Sequence, residues 1–298
     1  DDEEPESEEP AGPIRLAIVG RPNVGKSTLV NALTGKNRLI TSELSGTTRD
    51  PIDTELAWND HRFILTDTAG IRRKATIAHR VEQFAVFGAL KTIERSDVAI
   101  LLLDATEPAV EQDARIAGLA EEKGRALVIV VNKWDKVKGK REEEFRADLK
   151  YLVKFGAYAP VVFIWALHAS KIEKVLEVAS LLHSQNQFRA STPKLNKLLE
   201  HITTEHPAPM TAGRALRLYY AAQVASSPPT FMFVSNMPQA IPDRYKRYIV
   251  NQLRKTFDLK VPIRLVFRER PGKAKRAATV AQMKQRQLHG KKKSKRAK

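Results

Sequence analysis

The chain has 298 residues, 42% of them hydrophobic, no cysteine and a formal net charge of +17. That length suits two domains of ordinary size. The lack of cysteine excludes disulfides, thiolate metal sites and cysteine nucleophiles. No apolar run approaches the ~18 residues of a membrane span. The opening Asp1-Asp2-Glu3-Glu4 is neither basic nor apolar, unlike a secretory signal. The first residue is not Met, as in a piece cut from a longer protein, and a cytoplasmic location is expected.

Charge is unevenly spread. Residues 1–10 carry seven acids and no base, whereas 270–298 carry twelve Lys or Arg and no acid. A basic segment of this kind favours a polyanionic partner, because each neutralised phosphate releases counterions. Residues 1–12, with Pro5 and Pro10, read as an acidic disordered arm.

From Ile14 onward, short apolar runs at 15–19, 62–66, 98–103, 126–131 and 161–164 read as strands of a parallel sheet buried on both faces. Helical stretches at 26–33, 79–94, 111–123, 142–155 and 172–185 separate them. This alternation predicts a doubly wound, mostly parallel α/β domain over 13–187. After a break near 186–192 the order becomes helix (193–206), two strands (215–223 and 230–235) joined through Pro228-Pro229, helix (243–257) and strand (263–268). These form a small α+β domain over 192–270, followed by a low-complexity basic tail over 271–298.

The chemistry lies on the loops after the strands. Gly20-Arg-Pro-Asn-Val-Gly25-Lys26-Ser27 has the pattern G-x-x-x-x-G-K-[ST] between a strand and a helix. Its backbone N–H groups and the helix N-terminus are expected to cradle phosphates. Gly20, Asn23, Val24, Gly25, Lys26, Ser27 and Thr28 form that segment. Lys26 is expected at the β- and γ-phosphates, and Ser27 as a Mg²⁺ ligand. Asp67-Thr-Ala-Gly70 supplies a second carboxylate for the Mg²⁺ shell and, at Gly70, an N–H that senses the γ-phosphate. In Asn132-Lys-Trp-Asp135 the Asp135 carboxylate can accept two hydrogen bonds from guanine. Adenine has no such donor pair, so it would leave the carboxylate unpaired. Asn132 is expected to hold the base and the neighbouring loops, with the Lys133 stem across the face of the base. Ser45-Gly-Thr-Thr48-Arg-Asp50 reads as a switch loop, with Thr48 the expected third Mg²⁺ ligand. GTP and GDP are therefore the expected nucleotides.

Together, G-R-P-N-V-G-K-S, G-T-T-R-D, D-T-A-G and N-K-W-D resemble the Der (EngA) family of ribosome-assembly GTPases. Val81-Glu-Gln-Phe84 and Pro242-Asp-Arg-Tyr-Lys-Arg-Tyr resemble it too, as does the domain order. The resemblance implies a P-loop GTPase domain followed by a KH-like domain, corresponding to the second G domain of a family with two. It also implies a contact from Ala166 and Leu167 to guanine, where the family usually has Ser-Ala-Leu. Here Trp165 replaces the serine, able to stack beside the base, turn into the core or crowd the site. Asn23 occupies the position through which relatives hold a potassium ion. Asn23, Lys26 and Thr48 are the expected catalytic residues. Ile71 stands where a water-orienting glutamine often sits, so slow intrinsic hydrolysis is expected.

The implied partner is ribosomal RNA, with the large subunit resting on resemblance alone. No DNA or membrane partner is expected, and the chain is expected to be a monomer. The second domain has no G-x-x-G loop, which argues against ordinary KH-type RNA reading. Arg244, Lys246, Arg247, Arg254 and Lys255, with Tyr245 and Tyr248, mark a helix with a candidate RNA-facing side. Two alternatives remain open: a nucleotide-binding scaffold with negligible hydrolysis, motivated by Ile71 and Trp165, and an Era-type small-subunit factor. The seven histidines show no metal-ligand spacing.

Overall fold

The computed structural model describes residues 12–35, 53–68, 82–139, 141–152, 157–211 and 213–270. The described residues fall into two compact units: those up to 189 with 225–230 and 257–264, and those in 190–224, 231–256 and 265–270.

The first unit is built on a six-stranded sheet in the order β2-β3-β1-β4-β5-β6. Its strands are β1 (Ile14–Val19), β2 (Thr54–Trp58), β3 (His61–Thr66), β4 (Val98–Asp104), β5 (Ala126–Asn132) and β6 (Val161–Phe163). All neighbours are parallel except β2, which pairs antiparallel to β3 with Thr54 opposite Leu65 and Trp58 opposite His61. The sheet is doubly wound and mostly parallel, as the apolar runs predicted. β4 and β5 are buried at every position, because helices cover both faces.

Helices α1 (Lys26–Gly35), α2 (Glu82–Glu94), α3 (Glu111–Glu122), α4 (Glu142–Leu152) and α5 (Glu173–Asn186) connect the strands. On one face Ala99, Leu101, Leu103, Ile129 and Val131 pack with Ile93 of α2, Ile116 and Ala120 of α3, and Phe145 and Leu149 of α4. The alternate residues of the same strands, such as Ile100, Leu102, Val128 and Val130, are equally buried. There α5 packs against β1, β4 and β5 through Val175, Leu176, Ala179 and Leu182. Strand period two thus feeds two apolar layers from one sheet.

β2 is absent from the sequence reading. Its turn carries a signal, since Asn59 and Asp60 both have positive φ, 43° and 60°. Those are the dihedrals of a tight two-residue hairpin, in which Asn and Asp tolerate the left-handed region. The mixed pattern of Thr54–Trp58, with one fully buried residue, reflects an edge position. Residues 79–81 and 153–155, read as ends of two helices, lie outside the described residues.

The segment 257–264 belongs to the first unit by its contacts. The Gln185 side chain donates to Asp258 O at 3.0 Å and accepts from Lys260 N–H at 2.8 Å. Arg264 Nη2 donates to Glu122 O at 2.8 Å.

The second unit contains α6 (Thr192–Glu205), a two-residue pair β7 (Met210–Thr211) and β8 (Arg214–Ala215), and α7 (Asp243–Phe257). A three-stranded sheet in the order β11-β10-β9 completes it, from β9 (Leu218–Ala225), β10 (Thr230–Ser235) and β11 (Arg264–Glu269), whose terminal residues Ala225, Thr230 and Arg264 fall in the first unit. β10 alternates strictly, burying Phe231, Phe233 and Ser235. The helices bury Leu195, Leu198, Leu199 and Ile202 of α6, and Tyr245, Ile249 and Leu253 of α7. Tyr245 is therefore no surface residue: it is 7% exposed, and its hydroxyl donates to His206 O at 3.1 Å. Burial pushes that phenol up to about 12, with a smaller push from Tyr248. The helical period decides this, because positions 245, 249 and 253 share one face. Arg244, Arg247 and Lys255 lie on the exposed side.

Candidate functional site

β1 is central, and the chain leaves it first toward β3 and later toward β4. The crevice beyond the carboxyl ends of the strands at such a reversal is where α/β sheets bind ligands. Each motif falls on that edge: Gly20–Gly25 after β1, Asp67 after β3, Asn132–Asp135 after β5 and Trp165–Leu167 after β6.

The phosphate loop leaves β1 through Gly20, with φ of +146°, where an added Cβ would lie 2.4 Å from Leu102 O. It enters α1 through Gly25, with φ of +102°, where a Cβ would lie 2.3 Å from Asn132 Nδ2. Both positions therefore demand glycine, for conformation and for space. Between them Asn23 adopts φ of +64°, and Val24 is buried. Lys26 Nζ donates to Gly20 O at 2.9 Å and Arg21 O at 2.5 Å, so it lies folded across the loop. Ser27 and Thr28 follow in the first turn of α1, both half-buried.

Asn132 joins the site together. It is 3% exposed; its Nδ2 donates to Val24 O at 3.0 Å, and its Oδ1 accepts from Ala166 N–H at 3.1 Å. One amide thus ties the phosphate loop, the N-K-x-D segment and the loop after β6. Lys133, in the left-handed region at φ of +59°, donates from Nζ to Asn23 O at 3.1 Å and pairs with Asp104 Oδ2 at 2.5 Å. Asp135 sits exposed in the short turn Trp134–Lys136. That turn is seated by Trp134, whose ring packs edge-on against Phe163 at 4.5 Å and Phe145 at 5.8 Å.

The loop after β6 is closed by a two-way backbone bridge between Trp165 and Ser170, at 3.3 and 3.2 Å. Ala166 is buried, Leu167 is 79% exposed and Trp165 41% exposed. Trp165 therefore does not turn into the core. Asp67 has φ of +58°; its N–H donates to Asp53 Oδ1 at 3.1 Å, and its Oδ2 accepts from Thr92 at 3.4 Å. Thr48, Gly70 and Ile71 lie outside the described residues.

Three residues of the site escaped the sequence reading. Asp104 ends β4 and is 3% exposed. Burial pushes its carboxyl up, but hydrogen bonds from Lys133 and Thr106 with the Lys133 charge outweigh that and hold it below the ordinary value. Its signal was available, as the first polar residue after the apolar run Val98–Leu103. Arg21 and Asp113 form the second missed feature. Asp113 is fully buried and 3.2 Å from Arg21 Nε. Burial pushes its carboxyl up, and the Val110 N–H and the Arg21 guanidinium offset only part of this. No local pattern marks this pair, which is 92 residues apart.

A doubly wound sheet with this loop, this asparagine and an N-K-x-D segment on its carboxyl edge defines a P-loop GTPase fold, here followed by a KH-like α+β module. Residues 15–133 match the family model described as 50S ribosome-binding GTPase. Residues 189–268 match that of the KH-domain-like C-terminal region of EngA bacterial GTPase enzymes. The chain is 63% identical over 269 residues to GTPase Der of Myxococcus xanthus (strain DK1622), covering 90% of this chain and 59% of that protein. To GTPase Der of Moorella thermoacetica it is 45% identical over 258 residues, covering 86% of this chain and 59% of the relative. The chain belongs to the GTPase Der (EngA) family, and it spans about three fifths of the length of these relatives. Among solved structures, Era of Aquifex aeolicus bound to GDP·AlF4⁻ aligns over 86% of this chain and 92% of its own at 20% identity, with a TM-score of 0.41.

Proposed function

We propose that this chain binds GTP and GDP at the carboxyl edge of its first sheet and hydrolyses GTP. In this reading it is the guanine-nucleotide-dependent part of a factor that binds ribosomal RNA of the large subunit. The observation that carries it is Asn132, which ties the phosphate loop to the base-reading segments through two buried hydrogen bonds. Residues 13–187 act as the G domain and 192–270 as the KH-like domain.

Ser27 and Asp67 offer one hydroxyl and one carboxylate, hard oxygen donors that suit Mg²⁺. They follow β1 and β3, which pair in parallel with Ala17 opposite Thr66. Thr48 completes the set in this reading. When bound, the ion neutralises charge between the β- and γ-phosphates. The loop N–H groups from Asn23 to Thr28 and the N-terminus of α1 receive the phosphates. Lys26 exchanges its two carbonyl partners for phosphate oxygens, which hold an ammonium more strongly than neutral carbonyls do. Asp135 accepts the guanine donors. Lys133, fixed by Asp104, keeps its aliphatic stem along the base, and Leu167 and Trp165 flank the opening. Phosphoryl transfer needs mostly positioning and charge neutralisation, and these residues supply both.

Lys26→Ala is expected to lower multiple-turnover phosphate release by about a thousandfold, the scale of losing a charge that acts on the transferring group. Retained turnover in that variant would remove Lys26 from the reaction. An undetectable parent rate with tight GDP binding would instead favour the scaffold reading. Asn23 occupies the position through which relatives are expected to hold a potassium ion, so hydrolysis is expected to be faster in KCl than in NaCl of equal ionic strength. Equal rates would exclude the potassium role.

The ribosomal part rests on family membership and on the basic segment 270–298. Binding of large-subunit RNA should weaken steeply with salt. Filter binding to isolated large and small subunits across a KCl series tests it, and a preference for the small subunit would favour the Era-type alternative.

A further inference from the structure

We propose that the connection between β4 and α3, residues 104–113, is a brace that positions the phosphate loop, with Asp104 and Asp113 as its two positioning residues. The inference rests on the reading of Gly20–Thr28 as the nucleotide site and goes one layer deeper.

Between Gly20 and Gly25 the loop runs through Arg21-Pro-Asn-Val, and its Asn23 sits in the left-handed backbone region, which asparagine tolerates better than most non-glycine residues. That tolerance permits the conformation without selecting it, so the contacts around the loop decide which geometry it keeps. Both ends of this stretch are held from the same connection. On one side Arg21 Nε lies 3.2 Å from each Asp113 carboxylate oxygen. Its Nη1 pairs with Glu107 at 3.1 Å, and its Nη2 donates to Pro108 O at 3.3 Å. On the other side Asp104 Oδ2 holds the Lys133 ammonium, which donates to Asn23 O.

Each acid is in turn oriented by its own backbone. Asp104 Oδ1 accepts from Thr106 N–H at 2.9 Å and from the Thr106 hydroxyl at 2.7 Å. Asp113 Oδ2 accepts from Val110 N–H at 3.0 Å, at the start of α3. The two carboxylates are therefore held by their own connection as well as by the cations, and the cations reach the loop rather than the core.

Stability alone does not account for two acids buried to 3% and 0% exposure around one loop. Replacing buried ion pairs by apolar side chains of similar volume is often neutral or stabilising. Loop geometry is what they specify. Lys26 Nζ rests on the carbonyls of Gly20 and Arg21, so holding Arg21 also sets where Lys26 waits. A preformed loop lets phosphates bind without first ordering the backbone.

The test uses the full chain, with calorimetry of GDP, stopped-flow release of a fluorescent GDP analogue, and thermal melting. Asp104→Asn keeps an oxygen for Thr106 but removes the charge facing Lys133. The paired variant Arg21→Gln with Asp113→Asn removes both charges, so neither is left buried and alone. Each is expected to release GDP about tenfold faster while melting close to the parent. In a Lys133→Gln background, Asp104→Asn should add less than about twofold, because its effect runs through Lys133. Parent-like release from both variants overturns the brace. So does a loss of affinity that merely follows a fall in melting temperature, or one that persists in full in the Lys133→Gln background. A parent chain that binds no GDP overturns the nucleotide-site reading, and the brace with it.

Discussion

Replacing Asp135 with alanine is expected to weaken GDP binding by about a thousandfold while leaving the melting temperature near that of the parent. A hydrogen bond to a charged group contributes about 1.5–3 kcal/mol. Guanine offers two donors to this carboxylate, so about 3–6 kcal/mol is at stake, a factor of roughly 10²–10⁴ in affinity. The fold is spared because Asp135 is exposed and its turn is held instead by Trp134 against Phe145 and Phe163. Calorimetry with GDP and ADP checks both halves: the parent should bind GDP and ignore ADP, and the variant should bind neither well. A variant within about threefold of the parent would mean that something other than Asp135 reads the base.

Asn132→Ala is expected to damage binding and stability together, which separates it from Asp135→Ala. The side chain is buried and serves two backbone groups, Val24 O and Ala166 N–H. Its removal leaves both without a partner in a dry place, at a cost of about 1–3 kcal/mol for each group. A loss of about 2–6 kcal/mol in unfolding free energy is expected, together with a fall in GDP affinity of more than about a hundredfold. Asn132→Asp is a useful second variant. It keeps an oxygen for Ala166 but loses the donor to Val24 and places a carboxylate against a carbonyl. Denaturant unfolding and GDP titration of both variants test the junction. A variant that melts like the parent would show that neither orphaned group needs this amide.

These contrasting outcomes follow from position on the same strand end. Asn132 is the last residue of β5 and faces inward. Three residues later the chain has turned out into a short helical turn, where Asp135 is exposed. A motif of four residues thus contains one group buried between two loops and one exposed to solvent.

The sheet, its helices and the motif loops were legible in the amino-acid sequence because each depends on local pattern. Short Val-, Ile- and Leu-rich runs bounded by turn signals read as strands covered on both faces, as Val98–Leu103 and Ala126–Val131 are. The glycines of the phosphate loop were legible for the same reason, although their neighbours were not. That Gly20 lies against Leu102 and Gly25 against Asn132 depends on strands meeting across the sheet. β2 was missed because an edge strand that buries little carries a weak apolar signal, and its Asn59-Asp60 turn went unread.

What only the tertiary structure decided is which polar residues cooperate. Tyr245 looked like part of a basic, aromatic surface until the packing of α7 turned it toward His206. Arg21 meets Asp113 across 92 positions, and Lys133 reaches Asn23 across 110. Distances of that kind leave no trace in spacing or periodicity, because loops that end on the same sheet edge can be brought together from anywhere in the chain. The sequence alone determined that this protein has a G-x-x-x-x-G-K-S loop and an N-K-x-D segment. The fold decided that Asn132, Asp104 and Asp113 hold those parts in place, since a side chain acquires such a role only from the groups that surround it.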